Sequence, residues 1–203
     1  MIYLTQEQQL TIKEEVNEKF NYYLSKYNSQ MYPEDIYIQS KIKFKDPCKV
    51  TADDITQAIL WKYGHVNKSN YPDDHKKFIK IIIDNWPDFC KNGIYALNNM
   101  YDFWKERLKG HQNFVTIAYL IHLIKSDEIQ IIDQHNFRAF NCLVLLVNPG
   151  HSFTNKPNNL LDLKNYNHFF NQLLDILDLG KGKVRDLDKF LMMYGKYNLK
   201  ERS

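Results

Sequence analysis

The sequence predicts an all-α protein, and three observations carry that prediction. Apolar residues recur every three or four positions through most of the chain, hydroxyl and carboxylate side chains stand where these stripes begin, and glycine or proline stands where they end. The 203 residues are 44% hydrophobic and 14% aromatic, with only seven glycines and six prolines. A chain of this kind can bury a sizeable core and needs neither disulfide nor metal to fold.

Thr5 with Gln8, and Thr11 with Glu14, offer two starts for a first helix, since a hydroxyl can accept from a free N–H while the later side chain reaches back. Ile12, Val16, Phe20, Tyr23, Leu24 and Tyr27 then draw one apolar stripe. Pro33 and Pro47 break the rhythm over 31–50, where DIYIQSKIKF suits a short strand or an extended arm. Thr51 caps the next helix, which runs to Tyr63 and stops at Gly64, and after the loop GHVNKSNYP another spans 73–86.

Residues 91–108 form a further helix with Ile94, Leu97, Tyr101, Trp104 and Leu108 on one side, and Gly110 stops it. FVTIAYLIHLI at 114–124 is apolar nearly all round, which predicts a helix enclosed by protein. FNCLVLLV at 140–147 is apolar enough for a buried strand, yet it continues the register of Phe137 and fits a helix ending at Asn148, Pro149 and Gly150. Past the polar loop GHSFTNKPNN, an amphipathic helix carries Tyr166, Phe169, Phe170, Leu173, Leu174 and Leu177. DLGKGKVRD interrupts it, and a last helix carries Val184, Leu187, Leu191 and Tyr194.

Composition narrows the function classes. Cys48, Cys90 and Cys142 are widely separated in sequence and form neither a disulfide framework nor a CxxC pair, as expected in a reducing compartment. The first residues show no basic segment followed by an apolar one, and no run is long enough to cross a membrane, so a cytoplasmic location is expected. The 27 Lys and Arg, only four of them Arg, give a formal charge of +3. That suits a solvated face of mixed sign and is too small to demand a nucleic-acid partner. Seven histidines include no HExxH and no two-cysteine, two-histidine spacing, so no metal or cofactor is expected, and His122 reads as a hydrogen-bonded core residue. LGKGKVRD at 179–186 lacks the spacing of a phosphate loop; Gly180 reads as a helix stop, with Lys181, Lys183 and Arg185 as a small basic patch.

One stretch, EIQIIDQHNFRAFN at 128–141, sets an acid between two isoleucines and a histidine and arginine. Asp133 immediately precedes a helix, where a carboxylate caps free N–H groups and favours the positive end of the dipole. The same position suits catalysis, because a carboxylate held at a helix start can stabilise positive charge on a sugar or help to activate a water.

The longer run LKGHQNFVTIAYLIHLIKSDEIQIIDQHNFRAF, residues 108–140, resembles the helix-hairpin-helix segment of base-excision DNA glycosylases. In that superfamily a leucine-plus-glycine hairpin starts a buried helix, and an apolar-apolar-Asp-x-His-x-x-Arg motif follows. Leu108, Gly110, Thr116, Ala118, Ile132, Asp133, His135 and Arg138 stand at comparable places. The resemblance implies two helical lobes, 51–130 and 1–50 plus 131–203, with a cleft between them. It implies that Asp133 is the catalytic acid, that His135 and Arg138 support its helix start, and that Lys109, Gly110, His111, Gln112 and Lys125 contact the backbone of double-stranded DNA. Trp61, Tyr63, Trp86 and Trp104 are available to line the pocket for an extruded base, although packing in the core or at the surface is the first reading of each.

The chain departs from the family pattern at three points. The second hairpin glycine is replaced by Gln112, which puts the phosphate-binding turn in doubt. Asn113, Phe114 and Val115 stand where some members carry a Schiff-base lysine, so no lyase step is expected. Cys142 is the last cysteine, so the iron–sulfur cluster of the endonuclease III branch has no ligands. Two further readings remain open: a non-catalytic helical module binding DNA or a protein, with Asp133 merely a cap, and a small-molecule enzyme with a helical pocket.

Overall fold

The computed structural model describes residues 2–109, 114–152 and 154–201. Every regular element among them is helical: α1 (Gln6–Leu24), α2 (Glu34–Phe44), α3 (Ala52–Lys62), α4 (Asp73–Lys91), α5 (Leu97–Arg107), α6 (Phe114–Ile124), α7 (Gln134–Val147), α8 (Leu160–Ile176) and α9 (Val184–Glu201), with short 3-10 turns at Pro47–Lys49 and Lys181–Lys183. No helix among the described residues is long and apolar enough to cross a membrane. The helices gather into two compact units, Met1–Tyr27 with Gln130–Ser203, and Asn28–Ile129.

The first unit holds α1, α7, α8 and α9. Of the two possible starts of α1, Thr5 is the one used: its hydroxyl accepts from Gln8 N, and Gln8 Oε1 accepts from Thr5 N at 2.9 Å. Gln8 Nε2 also donates to the Val147 carbonyl, so the same residue ties the start of α1 to the end of α7. The stripe read from the sequence faces inward at Ile12, Val16 and Tyr23, and Phe20 stacks on Phe190 of α9 at 5.1 Å. Tyr166, Phe169, Phe170 and Leu173 of α8 are fully buried. Each such side chain contributes roughly 1.5–3 kcal/mol through the area it removes from water. α9 packs closely along α7, and Gly195 makes this possible: a Cβ there would fall 1.9 Å from the His135 carbonyl oxygen, against backbone that cannot swing aside.

The second unit holds α2 to α6, and here the structure departs from several expectations. DIYIQSKIKF is neither strand nor arm but lies in α2, with Tyr37, Ser40 and Phe44 buried at helical spacing while Ile38 and Ile42 are exposed. Glu34 and Asp35 in its first turn and Lys41 and Lys43 in its last complement the helix dipole. Because α2 packs on α3 and α6, residues 28–50 belong with this unit and not with the N-terminal helix. α4 continues through Pro87 to Lys91, with Trp86 and Phe89 buried on either side of the proline. The helix expected over 91–108 begins only at Leu97, since Gly93 adopts a left-handed backbone (φ +58°) that ends α4 and admits a turn.

Thr51 caps α3 as expected, and α6 is enclosed along its whole length. Trp61 is stacked between Tyr37 at 4.9 Å and Tyr119 at 5.8 Å, and its Nε1 donates to the Pro33 carbonyl. His122 is a satisfied core residue: Nε2 lies 3.0 Å from the Tyr37 hydroxyl, and Nδ1 lies 2.6 Å from the Ile129 carbonyl. Trp61, Trp86 and Trp104 are only 3%, 5% and 0% exposed, so all three pack the core, which was the first reading of each.

Candidate functional site

The answer to why an acid follows two isoleucines begins with anchoring. Ile129, Ile131 and Ile132 are buried, and the Gln130 N–H between them donates to Asn167 Oδ1 of α8 at 2.9 Å. The chain therefore arrives at Asp133 extended and fixed (φ −140°, ψ −174°). Asp133 Oδ1 then accepts from the N–H groups of His135 at 2.7 Å and Asn136 at 2.9 Å, which satisfies two donors that the first turn of α7 would otherwise leave open. The positive end of the α7 dipole favours the ionised carboxylate at this point.

Asn136 extends the cap into the core. Its backbone donates to Asp133, while its side-chain amide donates to the Asp188 carbonyl at 3.2 Å and to Asp188 Oδ1 at 3.1 Å. Asp188, 7% exposed, also pairs with Arg185, whose Nη2 donates to the Tyr27 hydroxyl at 2.8 Å. The fully buried Tyr166 faces this group from α8. Burial, then the charges of Asp188 and Asp133, push its hydroxyl pKa well above the ordinary value, although Asn136 partly offsets them. Tyr166 thus remains a neutral phenol beside two carboxylates.

Of the residues singled out in the sequence, Asp133, His135 and Arg138 share the first turns of α7. Arg138 forms no ion pair with Asp133 among the described residues, and its Nε is buried without a hydrogen-bond partner. Lys109 and Lys125 lie in the second unit: Lys109 is exposed, 3.9 Å from Glu106, and Lys125 pairs with Glu128 at 3.2 Å. Gly110, His111 and Gln112 lie outside the described residues. Arg185 of the small basic patch turns inward to Asp188 and Tyr27, and Lys183 pairs with Asp186.

Tyr63, the fourth aromatic named in the sequence, is half-buried and brings companions that spacing alone did not reveal. Its ring stacks on His75 at 3.9 Å, and its hydroxyl meets Thr116 Oγ1 at 2.5 Å. His75 Nδ1 lies 3.1 Å from His65 Nε2, and Tyr71 stacks on His65. Burial lowers the pKa of both histidines, helped at His65 by Lys68 and at His75 by His65. No group of three or more metal-ligating side chains occurs among the described residues.

Asn136, Tyr166, Asp188 and Gly195 were not picked out as site residues. A signal existed in α9: Asp188, Leu191 and Gly195 share one buried face, and both an acid and a glycine on such a face ask for a partner helix. No protein-family model, curated protein or solved structure matches this chain.

Proposed function

We propose that the chain is a DNA base-excision glycosylase-like protein, a two-lobed relative of the helix-hairpin-helix superfamily, which binds double-stranded DNA and cleaves the N-glycosidic bond of a damaged or unusual base. The observation that carries this reading is the Asp133 carboxylate, held at the start of α7 by two backbone N–H groups and anchored through Asn136 to α9. When a base leaves with the bonding electrons, its sugar becomes electron-poor, and a fixed negative charge beside the sugar stabilises that state. The same carboxylate orients a water and accepts its proton as the water adds to the sugar carbon, and return of that proton to the departed base anion gives free base and an abasic sugar. Preorganisation matters because the charge need not be moved into place during the reaction.

The test is base release from duplexes that each carry one deaminated, oxidised or alkylated base, scored by strand cleavage in alkali. The wild-type protein releases at least one of them, and Asp133→Asn, which keeps the capping oxygen, loses that release by a hundredfold or more. A second reading has its own support: Asp133 Oδ1 already serves as the cap, which is all that a non-catalytic DNA-binding or protein-interaction module requires. Binding to these duplexes with no base released by either protein selects this second reading.

A further inference from the structure

Two cysteines far apart in sequence meet in the second unit. Cys48 sits exposed in the 3-10 turn Pro47–Lys49, and Cys90 lies half-buried in the last turn of α4. Cys90 Sγ donates to the Pro47 carbonyl at 3.3 Å, the carbonyl covalently joined to Cys48, and Trp86 Nε1 fixes that carbonyl at 2.8 Å. Cys48 Sγ in turn lies 3.4 Å from the Tyr95 hydroxyl. From these placements we infer that Cys48 and Cys90 form a redox-active dithiol, a modification site that takes a hydroperoxide as oxidant and closes to an intramolecular disulfide.

The inference does not rest on the glycosidase reading, because it concerns different residues and a different chemistry. Burial, together with the hydrogen bond and charge of the neighbouring Cys48, pushes the Cys90 thiol up to about 12. Cys90 therefore stays protonated, and the exposed Cys48 is the sulfur that meets the oxidant first. The Cys48 sulfur attacks one peroxide oxygen and the O–O bond breaks, giving the Cys48 sulfenic acid and one water or alcohol. The Cys90 sulfur then attacks the sulfenic sulfur; an S–S bond forms, the S–O bond breaks, and the departing hydroxide leaves as water with the Cys90 proton. In sum two thiols lose two electrons and two protons to the hydroperoxide. The fixed Pro47 carbonyl holds Cys90 beside the turn, so the second step is an intramolecular one that competes with overoxidation of Cys48.

The experiment treats the full chain with hydrogen peroxide, alkylates remaining thiols with N-ethylmaleimide, and reads intact mass and peptide maps. The expected product has lost two hydrogens and two alkylation sites, yields a Cys48–Cys90 linked peptide, still carries Cys142 as a thiol once denatured, and reverts with dithiothreitol. In Cys90→Ser, whose hydroxyl can keep the bond to the Pro47 carbonyl, Cys48 is trapped by dimedone as the sulfenic acid or gains two oxygens. Circular dichroism confirms that this variant is folded. Overturning results are a wild-type Cys48 that gains two oxygens while Cys90 remains alkylatable, a disulfide between two chains, or a wild-type protein as resistant to peroxide as Cys48→Ser.

Discussion

At the start of α3, Thr51 and Asp54 satisfy each other: the Thr51 hydroxyl accepts from Asp54 N, and Asp54 Oδ2 accepts from Thr51 N at 2.9 Å. Among the described residues the only longer-range partner is Lys43, which pairs with Asp54. At the start of α7, Asp133 performs the same capping, but the residue that receives its bond, Asn136, reaches across the core to Asp188. A local capping box can form before the rest of the protein folds, whereas the α7 start acquires its full set of bonds only when α9 is docked. The difference teaches that equivalent capping chemistry can be closed within one helix turn or tied into tertiary structure, and the catalytic role proposed for Asp133 draws on the second arrangement.

The largest break in this comparison is Gly195→Ala. The added Cβ meets the His135 carbonyl and forces α7 and α9 apart, for an expected loss of roughly 3 kcal/mol in urea unfolding, with the change felt at the α7 start. Asp188→Ala comes next, since it removes one of two acceptors of the buried Asn136 amide and the partner of Arg185, at about 2 kcal/mol by the same measurement. Asp133→Ala and Thr51→Ala each lose a cap worth about 1 kcal/mol. The two should part company in double-mutant cycles: Asp133→Ala couples to Asp188→Ala by about 0.5 kcal/mol or more, and Thr51→Ala adds to it without coupling.

The smallest effect concerns the other region. His65 and His75 have pKa values below the ordinary one, so the unfolded chain takes up protons near neutrality that the folded chain refuses. Their neutral forms carry no penalty above the unfolded value. Stability is lost as pH falls through that value toward the depressed folded ones. Thermal melts at pH 7.5 and pH 5.5 should show a lower midpoint in acid, and His65→Gln with His75→Gln should narrow the gap.

Helix starts were legible in the sequence because a cap acts within three residues: Thr5, Thr51 and Asp133 all stand where their chemistry predicts. α2 was misread because Ile36, Ile38 and Ile42 suggest alternation, while the burial that decides its conformation falls on Tyr37, Ser40 and Phe44. The candidate site was legible at Asp133 and closed to inspection beyond it. The bond from Asn136 to Asp188 spans chain positions that no local spacing relates, and Gly195 looks like an ordinary helix glycine until His135 is seen against it. Residue type alone likewise says nothing of exposure: Trp61, Trp86 and Trp104 have the rings that a base pocket wants, and the core uses them.

The most direct measurement is fluorescence-anisotropy binding of the wild-type protein and Asp133→Asn to a duplex with a stable abasic-site analogue, beside the undamaged duplex, across a salt series. The account predicts at least tenfold preference for the analogue by both proteins, persisting as salt weakens every complex, because extrusion leaves a gap that the protein fills whatever residue 133 is. Equal, salt-sensitive binding to both duplexes would contradict it and leave a general DNA-binding module; no binding at low salt would leave Asp133 as the cap of α7 alone.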